Sequence, residues 1–430
     1  MFKFVDLFCG TGGIRLGMEQ AFKEKSLPTL CVKSAEIDKK VCETYQLNFG
    51  ENPLADVKDI DELEPFDILL AGFPCQAFSY AGKQQGFADT RGTLFFEIER
   101  ILKNHQPRLV FLENVRGLTT HDQGRTFTTI LNRLSSMGYE YEYRLLNSSN
   151  YGIPQNRVRI YIIATLASKP ELTLPNDSGA VDSHRYHAAP QLSLFGQYSF
   201  RSVKDILENN PDVKYDCSPD FTRKLEEFFK GDLEKLHGMR LIDTRHGNSI
   251  HSWDIAIKGE CTVEEVELMN SLIANRRKHI FGKHQDGKAL TIEQIKHFYP
   301  HQHLYSLLKS LIAKGYLSEK AGKYNPVCGN MSFEVFKFLD PESISITLTA
   351  SDAHKLGVYH CERVRRLTPR ECARLQGYPE DYKLHPDDRY AYKQLGNAVS
   401  IPVIKKLFLD FLENNSNFVL KTDAMVSVLN

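Results

Sequence analysis

The sequence lacks most of the features that would assign it a class at once. It has no net charge, since Lys plus Arg and Asp plus Glu each number 54. A nucleic-acid surface must therefore come from local segregation of charge. No apolar run approaches the roughly 20 residues that span a bilayer, so no membrane partner is expected. The opening Met1-Phe2-Lys3-Phe4-Val5-Asp6 has neither the charged start nor the apolar core of a signal peptide. None of its nine cysteines (Cys9, Cys31, Cys42, Cys75, Cys217, Cys261, Cys328, Cys361, Cys372) forms a Cys-x-x-Cys pair, which argues against a zinc site. An odd, scattered set suits a reducing cytoplasm better than a disulfide framework. There is no internal repeat and no low-complexity tract. What remains is the composition of an ordinary soluble protein, 42% hydrophobic and 25% charged. Its 430 residues suffice for two or three domains.

The first 165 residues alternate strand and helix patterns. Strands are predicted over 3–8, 30–37, 67–72 and 108–112, with helices after Gly13 and over 91–103. Phe127, Ile130, Leu131, Leu134 and Met137 share one helical face, and Gly138 stands where a helix would end. Residues 139–146 and 157–164 read as two closing strands. This order predicts a doubly wound, mostly parallel α/β sheet, whose ligands sit at the carboxyl ends of strands. Residues 168–200 read as a linker, and 201–340 as a separate, more helical region. A strand over 344–349, a helix over 369–376 and a last helix opened by Gly396-Asn397-Ala398-Val399 complete the prediction.

Four groups of residues carry chemistry. Asp6-Leu7-Phe8-Cys9-Gly10-Thr11-Gly12-Gly13 is a strand, a glycine-rich turn and a helix start, which suits a ligand carboxylate or only a tight turn. It is not Gly-x-Gly-x-x-Gly, so a nicotinamide cofactor is disfavoured. Glu36 ends the next strand, either to hold ribose hydroxyls or as a solvated carboxylate. Cys75, in Gly72-Phe73-Pro74-Cys75-Gln76, is either a loop nucleophile or a buried, inert thiol. Glu113, ending the neighbouring strand, favours the first reading. Arg157 and Arg159 lie two apart, hence on one strand face, where either an anionic or carbonyl-rich partner relieves their repulsion or they are solvated charges of an edge strand.

Taken in order, these motifs closely resemble the DNA cytosine-5 methyltransferase family, in its bacterial restriction-modification form. The blocks are Asp-Leu-Phe-Cys-Gly-Thr-Gly-Gly, Gly-Phe-Pro-Cys-Gln-Ala-Phe-Ser, Arg-Gly-Thr-Leu-Phe-Phe, Glu-Asn-Val, Tyr-Gly-Ile-Pro-Gln-Asn-Arg-Val-Arg, Arg-Leu-Thr-Pro-Arg-Glu-Cys-Ala-Arg-Leu-Gln-Gly-Tyr-Pro and Gln-Leu-Gly-Asn-Ala-Val. They cover residues 1–165 and 344–412. The resemblance implies a Rossmann-like S-adenosylmethionine-dependent fold with a second, smaller target-recognition domain. The catalytic domain would take 1–167 and 385–430, and the recognition domain and hinge 168–384.

It implies further that Cys75 adds to carbon 6 of cytosine, making carbon 5 nucleophilic toward the sulfonium methyl. Glu113 would bind the ring nitrogen and exocyclic amine. Arg159 would hold the base carbonyl and Arg157 support a phosphate or the loop, two roles open to exchange. S-adenosylmethionine would lie against Phe8, Gly10, Thr11, Gly12, Gly13, Glu36, Asp56, Val57, Pro74 and Asn397. Double-stranded DNA is the implied partner, with Gln76 and Ser79 beside the nucleophile and the Phe78–Gly92 stretch closing over a flipped base. A monomer in the bacterial cytoplasm, paired in function with a restriction endonuclease, is expected. A transfer-RNA cytosine-5 methyltransferase is the alternative, disfavoured by the length of the recognition region.

Between 168 and 343 the resemblance fades. Residues 266–315 hold eight Lys or Arg against three Asp or Glu, with five histidines nearby, a basic patch on a neutral chain. Within it, residues 290–317 suggest a helix-turn-helix and a wing, giving a winged-helix insert over about 270–325 or an ordinary helical pair. Thr291 would cap its first helix, Arg277 and Lys309 would meet DNA, and Trp253 would be a core residue.

Overall fold

Six segments rich in branched and aromatic residues pair into one sheet in a computed structural model of the chain, which describes residues 1–74, 94–166, 168–177, 202–243, 249–282, 289–327 and 333–420. The chain divides into two units.

The first unit takes in Met1–Ile206, Ser343–Ala353 and Pro369–Asn430. Its elements run β1 (Phe2–Leu7), α1 (Gly13–Glu24), β2 (Thr29–Ala35), α2 (Lys39–Phe49), β3 (Ile68–Ala71), α3 (Leu94–His105), β4 (Leu109–Val115), α4 (Arg125–Ser136), β5 (Tyr139–Asn147) and β6 (Val158–Leu166). The strand order is β2-β1-β3-β4-β6-β5, parallel through β4, with β6 and β5 antiparallel. Val5, Leu7, Leu69, Ala71, Val110 and Leu112 face α3 and α4, while Phe2, Phe4, Ile68, Leu70, Leu109 and Phe111 face α1 and the last helix. Burial on both faces explains why these strands read as continuous apolar runs. The chain passes from β1 to β2 on one side and then to β1's other side for β3. That reversal opens a crevice at the strand ends after Leu7 and Ala71.

The second unit, Leu207–Glu342 with His354–Thr368, has two apolar cores. One joins α5 (Pro219–Phe229) to a five-stranded sheet built from β7 (Arg240–Leu241) and β8 (Ser249–Ile250) together with three later strands. The other, which includes the buried Trp253, joins α6 (Val263–Asn275), β9 (Leu290–Thr291), α7 (Ile292–Lys296), α8 (Leu304–Ala313), β10 (Leu317–Lys320) and β11 (Lys323–Pro326). Thr291 caps α7 in a reciprocal box with Gln294. The five-stranded sheet is finished by β12 (Lys337–Leu339), β13 (Leu356–His360) and β14 (Arg363–Arg366). The chain then re-enters the first unit as α9 (Pro369–Arg374), α10 (Asp388–Asn397) and α11 (Ile401–Asn414).

Three local expectations differ from the structure. Residues 344–349 form no strand; they make one isolated bridge, Ser345 with Gln155, outside the strands of the sheet. The Gln155 side chain accepts from Leu348 N–H at 2.9 Å and Arg157 donates to Leu348 C=O at 2.9 Å, so side chains occupy the groups a strand partner would use. Gly396 and Asn397 close α10 rather than open the last helix; Ala398 is extended, and α11 starts at Ile401 with Pro402 in its first turn. Residues 343–353 and 369–384, assigned from sequence to the recognition segment, cluster with the first unit.

Candidate active site

The chain leaves β1 through backbone that few residues tolerate: Phe8, Gly10 and Gly12 have φ of 53°, 54° and 76°. A Cβ on Gly12 would strike the Phe49 ring, whereas one on Gly10 would meet nothing nearer than Phe8 C=O at 3.9 Å. Gly10 therefore offers an open, approachable side. The next residue, Gly13, begins α1, which has no side-chain cap and no acidic residue in its first turn. Its first N–H groups leave positive potential at the turn.

Glu36, half-buried just past β2, is fixed by backbone. Its Oε2 accepts from Gly10 N–H at 3.2 Å, and Oε1 accepts from Ile37 and Asp38 N–H at 2.8 and 2.9 Å. Main-chain bonds between Glu36 and Pro53 and Ala55 bring Asp56 alongside. Asp56 caps the short turn begun by buried Val57, accepting from Lys58 N–H at 3.0 Å. Sequence reasoning missed Ile37, a large apolar side chain left 67% exposed beside Glu36.

The C-terminal segment closes this turn from behind. Thr11 Oγ1 and Tyr378 Oη lie 2.5 Å apart, Tyr382 Oη donates to Thr11 C=O at 2.6 Å, and a Cβ on Gly13 would lie 2.7 Å from Val399. Tyr378 and Tyr382 were also missed; only their aromatic spacing hinted at a packed role. Asn397, exposed at the end of α10, lies two residues before Val399.

At the end of β3 lie Gly72, Phe73 and half-buried Pro74. Cys75, Gln76, Ser79 and the Phe78–Gly92 stretch lie outside the described residues. Asn114 Nδ2 donates to Phe73 C=O at 3.3 Å, tying this end to β4. Glu113 is buried, and a Cβ on Gly72 would lie 3.7 Å from its Oε2. Burial raises the Glu113 pKa; Arg159 and then Arg157 pull it back only in part. Arg159 Nε stands 3.4 Å from Glu113 Oε1. Arg157, just before β6, is buried and donates to Leu348 C=O at 2.9 Å and Ala398 C=O at 2.6 Å. Thus Glu113 and Arg159 meet, while Arg157 braces the returning segment.

The model of the C-5 cytosine-specific DNA methylase family matches residues 2–413. The chain belongs to this family. The methylase is 61% identical to the type II methyltransferase M.BanI of Aneurinibacillus aneurinilyticus over 96% of each chain. It is 59% identical to M.HgiCI of Herpetosiphon aurantiacus over 96% of this chain and 98% of that one. Among solved structures it resembles a DNA modification methyltransferase from an E. coli prophage, with a TM-score of 0.53 and 20% identity over 97% and 100% of the chains. It also resembles an S. pombe Dnmt2 methyltransferase, with a TM-score of 0.50 and 17% identity over 96% and 99%. Those two likenesses concern the fold alone.

The methylase acts on carbon 5 of cytosine in DNA, an activity that implies S-adenosylmethionine as methyl donor. The site fits such a donor: an uncapped helix start and open glycine turn suit its carboxylate, and the anchored Glu36 suits its ribose hydroxyls. Arg277, half-buried past α6, and Lys309, exposed on α8, belong to the second unit. Among the described residues no helix is long and apolar enough to cross a membrane, and no group of three His, Cys, Asp or Glu could hold a metal ion.

Proposed function

We propose that the protein methylates a flipped-out cytosine within a specific duplex DNA site through a covalent Cys75 adduct, as the modification partner of a restriction endonuclease. The observation that supports this most is the buried Glu113–Arg159 pair beside Gly72, next to the chain that leads into Cys75. The Cys75 thiolate adds to carbon 6, and the displaced electrons reach carbon 5. Glu113, its pKa raised by burial, is suited to share a proton with the ring nitrogen and so offset the charge that builds there. Arg159 holds Glu113 and the base carbonyl; Arg157 positions the strand through its two carbonyl contacts. Phe8, the Gly10–Gly13 turn, Glu36, Asp56, Val57, Pro74 and Asn397 would hold S-adenosylmethionine, which would supply an electrophilic methyl group when bound. Exposed Ile37 would offer an apolar platform to its adenine. Loss of the carbon-5 proton then expels the thiolate. The second unit, with Arg277 and Lys309, is assigned to DNA recognition, and Gln76 and Ser79 to the flipped nucleotide.

The type II names of the relatives support a restriction partner. Bisulfite sequencing of DNA from a host expressing the chain should reveal methylated cytosines in one recurring sequence. Cys75→Ser should abolish that signal, and a duplex carrying 5-fluorocytosine should remain bonded to the wild-type protein, because carbon 5 then has no proton to lose. Undiminished methylation by Cys75→Ser, or transfer to transfer RNA instead of DNA, would sink the reading.

A further inference from the structure

The second core of the second unit has the element order helix, strand, helix, helix, strand, strand. Its sheet order is β10-β11-β9, with both pairings antiparallel. The α7–α8 pair followed by the β10–β11 hairpin is the topology of a winged helix, in which the second helix of the pair enters a DNA groove. Burial assigns the faces of α8. Leu304, Leu308 and Leu311 are buried in the core, whereas Tyr305, Ser306 and Lys309 are exposed. Tyr305 is 58% exposed, and the Lys309 ammonium lies 4.7 Å from its ring centroid. This outward face carries an aromatic ring and a cation but no acid.

The hairpin supplies an independent observation. Lys320 and Lys323 are paired directly across the two strands, at either end of a turn made by Ala321 and Gly322 with φ of 51° and 69°. Like charges opposed in an antiparallel pair weaken the hairpin. The adjacent carboxylate of Glu319 turns its Oε1 to Gly322 N–H, at 2.9 Å. Both lysines are exposed. By contrast, Lys296 and Lys314 of the same module are held by Glu293 and Glu265 at 2.9 and 2.6 Å. Among the described residues of the module, Lys309 on the outward face of α8 and the Lys320–Lys323 pair at the hairpin tip are exposed cations, and a polyanion would offset the repulsion of that pair.

We propose that residues 262–327 form a winged-helix module that reads part of the target site. The exposed face of α8, through Tyr305 and Lys309, takes the major groove, and the Lys320–Lys323 tip takes the phosphate backbone of the same duplex. This rests on the assignment of the second unit to DNA recognition and names the residues that carry it.

The test uses the full chain and duplex DNA bearing the sequence that bisulfite sequencing identifies, alongside single-base variants of it. In Lys320→Gln/Lys323→Gln protein, affinity should fall for every duplex alike. The slope of log affinity against log salt should become shallower by about 1.8, two phosphate contacts having been lost. The same variant should melt no lower than wild type, because an unfavourable charge pair is gone. A merely structural role for the lysines predicts the reverse. Tyr305→Ala/Lys309→Gln should instead relax discrimination between the site and its variants by about 5- to 150-fold and spread methylation to near-cognate sites. Neither variant should alter affinity for S-adenosylmethionine. If wild type methylates DNA while both variants keep its salt slope and site preference, the module assignment is overturned and the recognition role of the unit stands elsewhere. If wild type modifies no DNA, the broader functional reading has failed instead. Tighter binding of the module to transfer RNA than to duplex DNA would also overturn the proposal.

Discussion

At the scale of single residues, two buried carboxyl groups respond to burial in different ways. Glu113 has a cationic neighbour within reach, so its raised pKa leaves an acid that is both held and able to exchange a proton. Glu113→Gln should lower kcat for methyl transfer by about 10²- to 10⁴-fold with little change in cofactor affinity, measured by single-turnover transfer of labelled methyl to duplex DNA. Asp6 is different. It is fully buried, neither carboxylate oxygen has a hydrogen-bond partner among the described residues, and burial, opposed by Arg15, pushes its pKa up to about 8. Its protonated form favours the fold, so this contribution is complete below pH ~3.8, erodes as pH rises and is lost through pH ~8. Asp6→Asn should therefore flatten the fall of Tm between pH 5 and 9 and gain most over wild type at the alkaline end. Parallel Tm curves would contradict that. The Asp6 position was legible as part of a glycine-turn motif; its solvation was not, because burial on the α1 side of the sheet comes from distant chain.

At the scale of elements, the six strands of the first unit's sheet and the amphipathic α4 could be read directly from their apolar periods, and α2 and α10 could not. The reason is that α2 and α10 meet through polar groups. Thr44 donates to Gln394 Oε1 at 2.9 Å, and Gln394 Nε2 donates to Lys40 C=O at 2.8 Å, so neither helix needs a continuous apolar stripe. The opposite case is α1 against α11, where backbone approach is close. A Cβ on Gly17 would lie 2.7 Å from Ile404 Cγ2 and 3.0 Å from Ile401 C=O. Gly17→Ala should destabilise the protein by about 1–3 kcal/mol, seen as a lower Tm with unchanged denaturant slope. Short helices depend on their ends in a similar way. Thr291→Ala, which removes the hydroxyl that accepts from Gln294 N–H and leaves the backbone half of the α7 capping box, should cost about 1 kcal/mol and raise amide exchange in α7 before any other helix of that unit.

At the scale of the whole molecule, methyl transfer needs a donor site assembled from both ends of the chain. The glycine turn after β1 is backed by Tyr378, Tyr382 and Val399, more than 360 positions away. Saturating S-adenosylmethionine should therefore stabilise the first unit as a body, by about 2.7 kcal/mol at a hundredfold excess over Kd. Glu36→Ala should remove most of the resulting Tm shift, and should also lower the Tm without ligand, because Gly10, Ile37 and Asp38 N–H lose their acceptor. A full shift in that variant would place the ribose elsewhere. Net neutrality is no obstacle to DNA at this scale, because the stretch 266–315 of the second unit holds eight Lys or Arg against three Asp or Glu, a local excess of positive charge.

The sequence by itself determined the family, the chemistry and the six strand segments of the first unit's sheet, because those depend on local periodicity and on short motifs that keep their meaning wherever they fold. It also marked Glu113 and Arg159 as site residues. Only the tertiary structure decided that Arg157 is spent on the carbonyls of Leu348 and Ala398, that Glu36 is pinned by three backbone N–H groups, and that the chain returns to the first unit at Ser343. The contacts of Arg157, and that of Glu36 with Gly10, pair groups far apart in sequence. Nothing in either partner's local pattern encodes the other; burial and hydrogen-bond satisfaction select it once the chain has closed.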